Sequence, residues 1–265
     1  MSTPDPLPLE QKLKKVFLYH TARTLPAFLA QTAQDNLSHD AFLTRLLDNE
    51  LSSRHDNHIK RLIHEAKFPA LKTLDAFDWA HPASIPKALL LKMTDLDFVH
   101  QKQHLIFVGP GGVGKTHLAT AVGFIACQQE IRTLFTTAAD MINHLVASQA
   151  DHSLGRALKK FTVPKLLIID ELGYLPLDKQ GRDLFFQVIS KRAEAGSIIL
   201  TTNKAFKDWG EVFCDNAVAT AIAERLIEHG ELIKIEGGSY RVKKRHQKLL
   251  GLDSLETKQK KKELV

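Results

Sequence analysis

The fold is predicted first from the glycine-rich stretch Gly109-Pro110-Gly111-Gly112-Val113-Gly114-Lys115-Thr116. It fits the pattern G-x-x-x-x-G-K-[ST], it follows the apolar run Leu105–Val108, and it opens an apolar helical pattern. In such a loop the glycines let backbone N–H groups turn inward around phosphates, and the N-terminus of the helix adds its positive dipole. The stretch therefore predicts a nucleotide site formed by residues 109–116 and the adjacent His117. A glycine-rich turn that binds nothing is the alternative for the loop taken alone.

The end of this loop and two carboxylates further along the chain predict ATP and Mg²⁺ as ligands. Lys115 is expected to reach the β- and γ-phosphates, and Thr116 is expected to offer its hydroxyl to Mg²⁺. A later apolar run ends at Asp170 and Glu171, and a buried strand would deliver both to the edge of a parallel sheet where ligands bind. We expect Asp170 to hold Mg²⁺ and Glu171 to polarise the attacking water.

Three candidate catalytic residues also have a structural interpretation. Glu171 could be an exposed acid of a loop, although an Asp-Glu pair after such a strand favours hydrolysis over binding alone. Asn203 follows the strand pattern Ser197–Thr202 and could orient the water against the γ-phosphate, or it could be an ordinary turn residue. Arg225 could pair with a neighbouring glutamate on the surface, or it could be a finger that reaches the γ-phosphate bound by another protomer.

Strand and helix patterns alternate from residue 104 onward, which predicts an α/β fold with a mainly parallel five-stranded sheet flanked by helices. Strands are predicted at 104–109, 132–137, 165–170, 197–202 and 231–236, and helices at 115–129, 138–148, 180–195 and 217–229. Earlier in the chain, apolar residues at helical spacing predict a small all-α domain. The predicted ranges are an N-terminal helical domain at 1–67, a connecting segment with Pro69, Pro82 and Pro86 at 68–103, an ATPase domain at 104–250, and a basic tail at 251–265.

Composition favours a cytoplasmic protein. Of the 265 residues, 44% are hydrophobic, which is enough for a packed core. The two cysteines, Cys127 and Cys214, cannot build a disulfide framework, and this fits a reducing compartment. The longest apolar run, Leu118–Cys127, is about half the roughly 20 residues that a membrane helix needs. We therefore expect a soluble, cytoplasmic protein with no membrane partner.

The positive charge of the chain is concentrated near its C-terminus. The formal net charge is +6, and residues 241–265 hold nine Lys/Arg against three Asp/Glu, so the rest of the chain is balanced. A run of this kind is often only a solvated end, but its first basic residues follow a predicted strand and could meet phosphates. The candidate DNA-binding residues are Arg241, Lys243, Lys244 and Arg245.

The order of these motifs resembles that of AAA+ ATPases. The loop at 109–116, the run at 166–171, the segment 201–203 and Arg225 are similar to the Walker A, Walker B, sensor-1 and arginine-finger elements. Nearly the full chain resembles the IstB branch, the ATP-binding helpers of insertion-sequence transposition, which are relatives of the DnaC helicase loaders. The stretches that specify this branch are Phe68-Pro69, Lys72-Thr73-Leu74, Phe77-Asp78, Gly114 to Ala119, Asp170 to Tyr174, Trp209 to Phe213 and Ser239-Tyr240-Arg241.

The resemblance implies an ATPase that oligomerises on duplex DNA, deforms the target site, and recruits and stimulates a partner transposase. It also implies that Arg225 acts in trans on the ATP site of a neighbouring subunit. About 29 residues follow the last predicted strand, too few for the C-terminal lid domain of most AAA+ proteins, so no lid is expected. Three alternatives stay open: a helicase loader like DnaC, a P-loop kinase, and a nucleotide switch that binds partners without hydrolysis.

Overall fold

A computed structural model describes residues 7–33, 35, 37–81 and 93–249. The chain divides into two compact units, Met1–Arg61 and Leu62–Val265. This division falls inside a helix, ahead of the predicted boundary after residue 67, and the predicted domain ranges stay a prediction. The predicted tail at 251–265 and the prolines Pro82 and Pro86 lie outside the described residues.

The N-terminal unit is helical, as the sequence predicts. Helix α1 spans Leu9–Lys15, α2 spans Tyr19–Thr32, and α3 begins at His39 and continues to Glu65. A buried carboxylate ties α2 to α3: Glu50 accepts hydrogen bonds from the backbone N–H and hydroxyl of Thr21 at 2.8 and 2.9 Å, and from Arg54 Nε at 2.9 Å. Burial opposes ionisation of Glu50, but these hydrogen bonds outweigh it and lower its pKa.

The second unit is built on a five-stranded sheet in which every pair of neighbours is parallel. Its order is β2-β3-β4-β1-β5. All six residues of β4 are buried, and so are four of the five residues of β1, because helices cover both faces of the sheet. The strands are β1 His104–Val108, β2 Thr133–Thr137, β3 Leu166–Leu172, β4 Ser197–Thr202 and β5 Gly230–Lys234.

The helices of this unit pack into two apolar layers, one on each face of the sheet. Several begin at a side-chain cap, as where Thr137, Asp178 and Asp215 accept hydrogen bonds from backbone N–H groups of the following turn. The helices are α4 Asp97–His100, α5 Lys115–Gln128, α6 Ala138–Ala150, α7 Leu154–Thr162, α8 Lys179–Arg192, α9 Trp209–Phe213, α10 Asn216–Glu228 and α11 Tyr240–Leu249, with 3-10 turns at Met93–Asp95 and Phe206–Asp208.

The predicted α/β fold is confirmed, and the differences lie at element ends and in elements that the sequence analysis did not assign. The helix predicted at 180–195 ends at Arg192, and the strand predicted at 231–236 is Gly230–Lys234. Helices α7 and α11 were not predicted, because α7 has only a short apolar stripe and α11 is mostly basic. Among the helices of the described residues, none has the length and apolar character needed to cross a bilayer.

Candidate active site

The glycine-rich loop connects the carboxyl end of β1 to the first turn of α5. Gly112 and Gly114 have φ angles of +80° and +100°, which glycine adopts without strain. A Cβ atom at Gly112 would lie 2.2 Å from Ser239 Oγ, and one at Gly114 would lie 2.6 Å from the ring of Phe77. The loop can therefore keep this shape only with glycine at both positions.

Lys115 is a buried cation at the start of α5. Its side chain is 6% exposed, and its Nζ donates hydrogen bonds to the carbonyl oxygens of Gly109 and Pro110 at 2.7 and 2.8 Å. Burial lowers the pKa of Lys115, and the nearby Asp170 carboxylate opposes that shift. Within the described part of the chain Lys115 has no ion pair, so the loop holds a desolvated positive charge that suits an anionic ligand.

The two predicted carboxylates lie at the end of β3, beside this lysine. Asp170 is 3% exposed and accepts a hydrogen bond from the Thr116 hydroxyl, which is 3.0 Å from each of its oxygens. Glu171 is exposed and has a φ of +62°, a left-handed conformation that is uncommon for this residue type. Its N–H donates to Thr201 Oγ1 at 3.0 Å, and the same hydroxyl donates to Asp170.

Lys115, Thr116, Glu171 and Thr201 line a cavity of about 290 Å³ at the carboxyl edge of the sheet. Segment 69–81 forms one wall, where Thr73 accepts a hydrogen bond from His117 Nε2 at 2.8 Å and the Phe77 ring meets the His117 ring edge-on. The lining is formed by Pro69, Ala70, Lys72, Ala76, Phe77, Asp78, His81, Gly112 to His117, Thr120, Glu171, Tyr174, Thr201, Tyr240 and Arg241.

Helix α11 supplies a second cation to the cavity, which the sequence analysis did not foresee. The N–H of Tyr240 donates to the carbonyl of Gly112 at 2.9 Å, so the first residue of α11 is held on the glycine-rich loop. Arg241 lines the cavity, and its charge contributes to the lowered pKa of Lys115. The sequence predicts only that Arg241 is a basic residue after a strand that could meet phosphates. Its approach to the glycine-rich loop depends on the tertiary fold.

Comparison with known proteins decides the family of the chain. Residues 11–248 match the sequence family described as IstB-like ATP binding protein. The chain belongs to this family. Its IstB-type sequence is 36% identical over 239 residues to a protein of Pseudomonas aeruginosa named as the ATP-binding protein of insertion sequence IS21, covering 90% of each chain. It is 39% identical over 235 residues to the corresponding protein of insertion sequence IS232 from Bacillus thuringiensis subsp. berliner, covering 89% of this chain and 94% of the relative.

Solved structures share the fold of this IstB-like protein. A crystal structure of the DnaC helicase loader is 28% identical with a TM-score of 0.50, and the match covers 62% of this chain and 96% of the loader chain. AMPPCP-bound DnaA from Aquifex aeolicus is 21% identical with a TM-score of 0.53, over 64% of this chain and 51% of that one. These likenesses confirm the predicted AAA+ type of P-loop fold.

Asn203 and Arg225, the remaining predicted catalytic residues of the IstB-like chain, do not line the cavity. Asn203 directly follows β4, and its Oδ1 would lie 3.2 Å from a Cβ built on Gly173 in the turn after β3. Arg225 lies on α10, where its Nη1 donates to the carbonyl of Ala221 at 3.0 Å and its guanidinium packs over the Phe186 ring at 4.7 Å. The catalytic roles of both residues stay predictions.

The four predicted DNA-binding residues fall into two groups on α11. Arg241 lines the nucleotide cavity, and Lys243 pairs with Asp78 at 3.5 Å in the wall of the same cavity. Lys244 and Arg245 are exposed, and in the portion of the chain that the structure describes neither has an ion-pair partner. DNA contact by these residues stays a prediction, and the geometry favours the second group for it.

Proposed function

We propose that the chain is an Mg²⁺-dependent ATPase that assembles on duplex DNA, remodels the target site, and recruits and stimulates the transposase of its insertion sequence. The observation that carries this proposal is that Lys115, Thr116 and Glu171 line one cavity at the carboxyl edge of the sheet. Asp170 accepts a hydrogen bond from the Thr116 hydroxyl beside that cavity. Membership of the IstB-like family and the insertion-sequence names of the relatives support it. With DNA as its partner, the protein would work in the bacterial cytosol or nucleoid.

Five residues in or beside the cavity have roles in this chemistry. Lys115, already desolvated, neutralises the β- and γ-phosphates, and Arg241 adds a second positive charge from α11. Glu171 lines the cavity and orients or polarises the attacking water. The hydroxyl of Thr116 and the carboxylate of Asp170 are oxygen ligands of the kind that Mg²⁺ prefers, so they fit this ion. Bound there, Mg²⁺ would neutralise charge on the transferred phosphoryl group.

The position of Arg225 supports hydrolysis between subunits. Arg225 lies on α10, does not line the cavity of its own chain, and contacts Ala221 and the Phe186 ring. We propose that it serves the ATP site of a neighbouring protomer. Asn203, at the end of β4, is proposed to orient the water against the γ-phosphate. ATP binding would then favour the assembled state, and hydrolysis through Lys115, Glu171 and Arg225 would reset it.

Sedimentation with ATP and Mg²⁺, with and without duplex DNA of several helical turns, tests the assembly. We expect wild type and Glu171→Gln to form large DNA complexes only with ATP, and Lys115→Ala to form none. The sedimentation run is made at low salt, because contacts with DNA phosphates are strongest under that condition. Absence of duplex-dependent assembly under that condition would refute the transposition-helper function.

Mixing two inactive variants tests whether Arg225 acts in trans. Lys115→Ala lacks a working loop but keeps its arginine, whereas Arg225→Ala keeps its loop and lacks the arginine. A mixture should hydrolyse ATP well above either variant alone, because a loop from one can meet an arginine from the other. A mixture no more active than the sum of its parts would argue against a shared site. A matched control is Arg182→Ala, which removes an arginine that is paired with Asp215 within the chain.

A helicase loader is the second candidate function, favoured by the likeness to the DnaC loader structure. A loader should prefer single-stranded DNA and should bind a hexameric helicase in the absence of a transposase. Competition between single and double strands in the same sedimentation run separates the two. Turnover of ATP to ADP and phosphate without an added acceptor separates hydrolysis from kinase chemistry, and turnover abolished by Glu171→Gln separates it from a switch that only binds.

A further inference from the structure

A bulge at the end of β3 places two carboxylates opposite one residue of β4. Ile169 pairs with Leu200, but the next pair is Leu172 with Thr202, so three steps along β3 correspond to two along β4. Asp170 and Glu171 therefore both lie opposite Thr201. Bulges of this kind redirect side chains and leave a backbone group outside the regular ladder.

Thr201 makes two hydrogen bonds at this irregularity. Its hydroxyl accepts from the N–H of Glu171 at 3.0 Å, which satisfies a backbone donor at the bulge, and it donates to Oδ1 of Asp170. The side chain is 1% exposed, so water does not readily replace these bonds. One buried hydroxyl thus contacts both residues of the Asp-Glu pair.

The backbone of Glu171 needs such support. In a regular strand the side chains of Asp170 and Glu171 would point to opposite faces. The φ of +62° at Glu171 breaks that alternation, so Asp170 reaches Thr116 while Glu171 lines the cavity. A left-handed conformation costs free energy at a residue other than glycine and persists where neighbouring contacts stabilise it.

We propose that Thr201 is a positioning residue for ATP hydrolysis: its hydroxyl holds the Glu171 backbone in the left-handed conformation and orients the Asp170 carboxylate. The inference rests on the proposed ATPase function and adds a residue to it. Thr201 lies on the strand that ends next to Asn203, so β4 positions both of the carboxylates as well as the predicted sensor residue.

Replacing Thr201 with Val removes the hydroxyl and keeps the side-chain shape. We expect kcat for ATP to fall about 10- to 100-fold, as when supporting contacts of metal ligands are removed, with KM changed less than about 3-fold. The Mg²⁺ concentration for half-maximal activity should rise. Thr201→Ser, which keeps the hydroxyl, should restore most of the rate. If the Val variant does not fold, Thr201→Ala replaces it.

Thr202→Val is a matched control on the same strand. Thr202 is also fully buried, but among the described residues its hydroxyl bonds only to Lys204, accepting from the N–H at 3.1 Å and lying 3.4 Å from the carbonyl. This variant should leave kcat within about 3-fold of wild type. If it lowers kcat as far as Thr201→Val, the effect is a general loss of a buried hydroxyl and the proposal is wrong.

Hydrogen exchange of the Glu171 amide provides a readout without nucleotide or turnover. The amide should exchange faster in Thr201→Val than in wild type or in Thr202→Val, because its acceptor is gone. Unchanged exchange together with unchanged kcat would overturn the inference. If wild type shows no turnover, or Glu171→Gln hydrolyses ATP normally, the ATPase proposal fails instead. The exchange rate and the Mg²⁺ dependence of ATP binding then decide the role of Thr201.

Discussion

Mild acid should destabilise the sheet-containing unit through His104, the first residue of β1. This side chain is fully buried, and its Nδ1 accepts a hydrogen bond from the N–H of Ile198 at 3.2 Å. Protonation would turn Nδ1 into a donor that faces the N–H donor of Ile198 in a buried site. Burial, followed by the charges of Arg192 and His229, lowers the pKa of His104 from its ordinary 6.5 to about 4.

The direction and size of the effect follow from this pKa. The unfolded chain takes up a proton near pH 6.5 and the folded chain near pH 4, so folding releases a proton between these values. The contribution of His104 to the free energy of unfolding is complete above pH 6.5 and is lost as the pH falls towards 4. With these two pKa values the free energy of unfolding should drop by about 2 kcal/mol between pH 7.5 and pH 5.

Urea unfolding at pH 7.5 and pH 5, followed by tryptophan fluorescence, measures this loss. Trp79 and Trp209 are the two tryptophans of the chain, and both belong to the unit that contains His104. His104→Asn keeps an acceptor for Ile198 without the titrating ring, and it should remove about 2 kcal/mol of the difference between the two pH values. His152→Asn, at an exposed position, is the control and should leave the difference unchanged. An equal pH dependence in wild type and His104→Asn would refute the reasoning.

Three further predictions concern the nucleotide cavity and the core. Arg241→Ala should raise the Kd for ATP about tenfold, because it removes a cation that lines the cavity. Lys244→Ala should weaken only DNA binding. Equilibrium titrations with a fluorescent ATP analogue and with labelled duplex DNA measure the two effects. Gly112→Ala should weaken ATP binding by about tenfold or more, because φ at this position is +80° and the new Cβ would lie 2.2 Å from Ser239 Oγ. An unchanged affinity in the same ATP titration would contradict this prediction. Arg192→Met should cost about 3 kcal/mol in urea unfolding, because four carbonyl oxygens, three of them in buried hydrogen bonds, lose the guanidinium as a donor; a cost below about 1 kcal/mol would count against it.

The elements with strong periodicity could be predicted because their burial is decided by local pattern. The strands predicted to end at Asp170 and Thr202 are apolar runs bounded by polar residues, and in the structure they end at Leu172 and Thr202. Helix α11 could not be predicted from periodicity in this way. Its residues are mostly basic, and its first turn is held by the bond from Tyr240 to Gly112, a contact between residues far apart in the sequence. Pattern alone could not place that helix, or Arg241, beside the loop.

The α/β fold, the glycine-rich loop and the Asp-Glu pair could be predicted from the sequence alone, because glycine spacing, apolar runs and adjacent acids are local features whose chemistry follows from residue type. Which other groups join them depends on the tertiary structure. The bulge that turns Glu171 away from the ordinary alternation, and the hydroxyl of Thr201 that contacts both carboxylates, depend on the register between β3 and β4. The bulge in that register arises where two strands that are distant in the sequence pair, so it is a property of the tertiary structure.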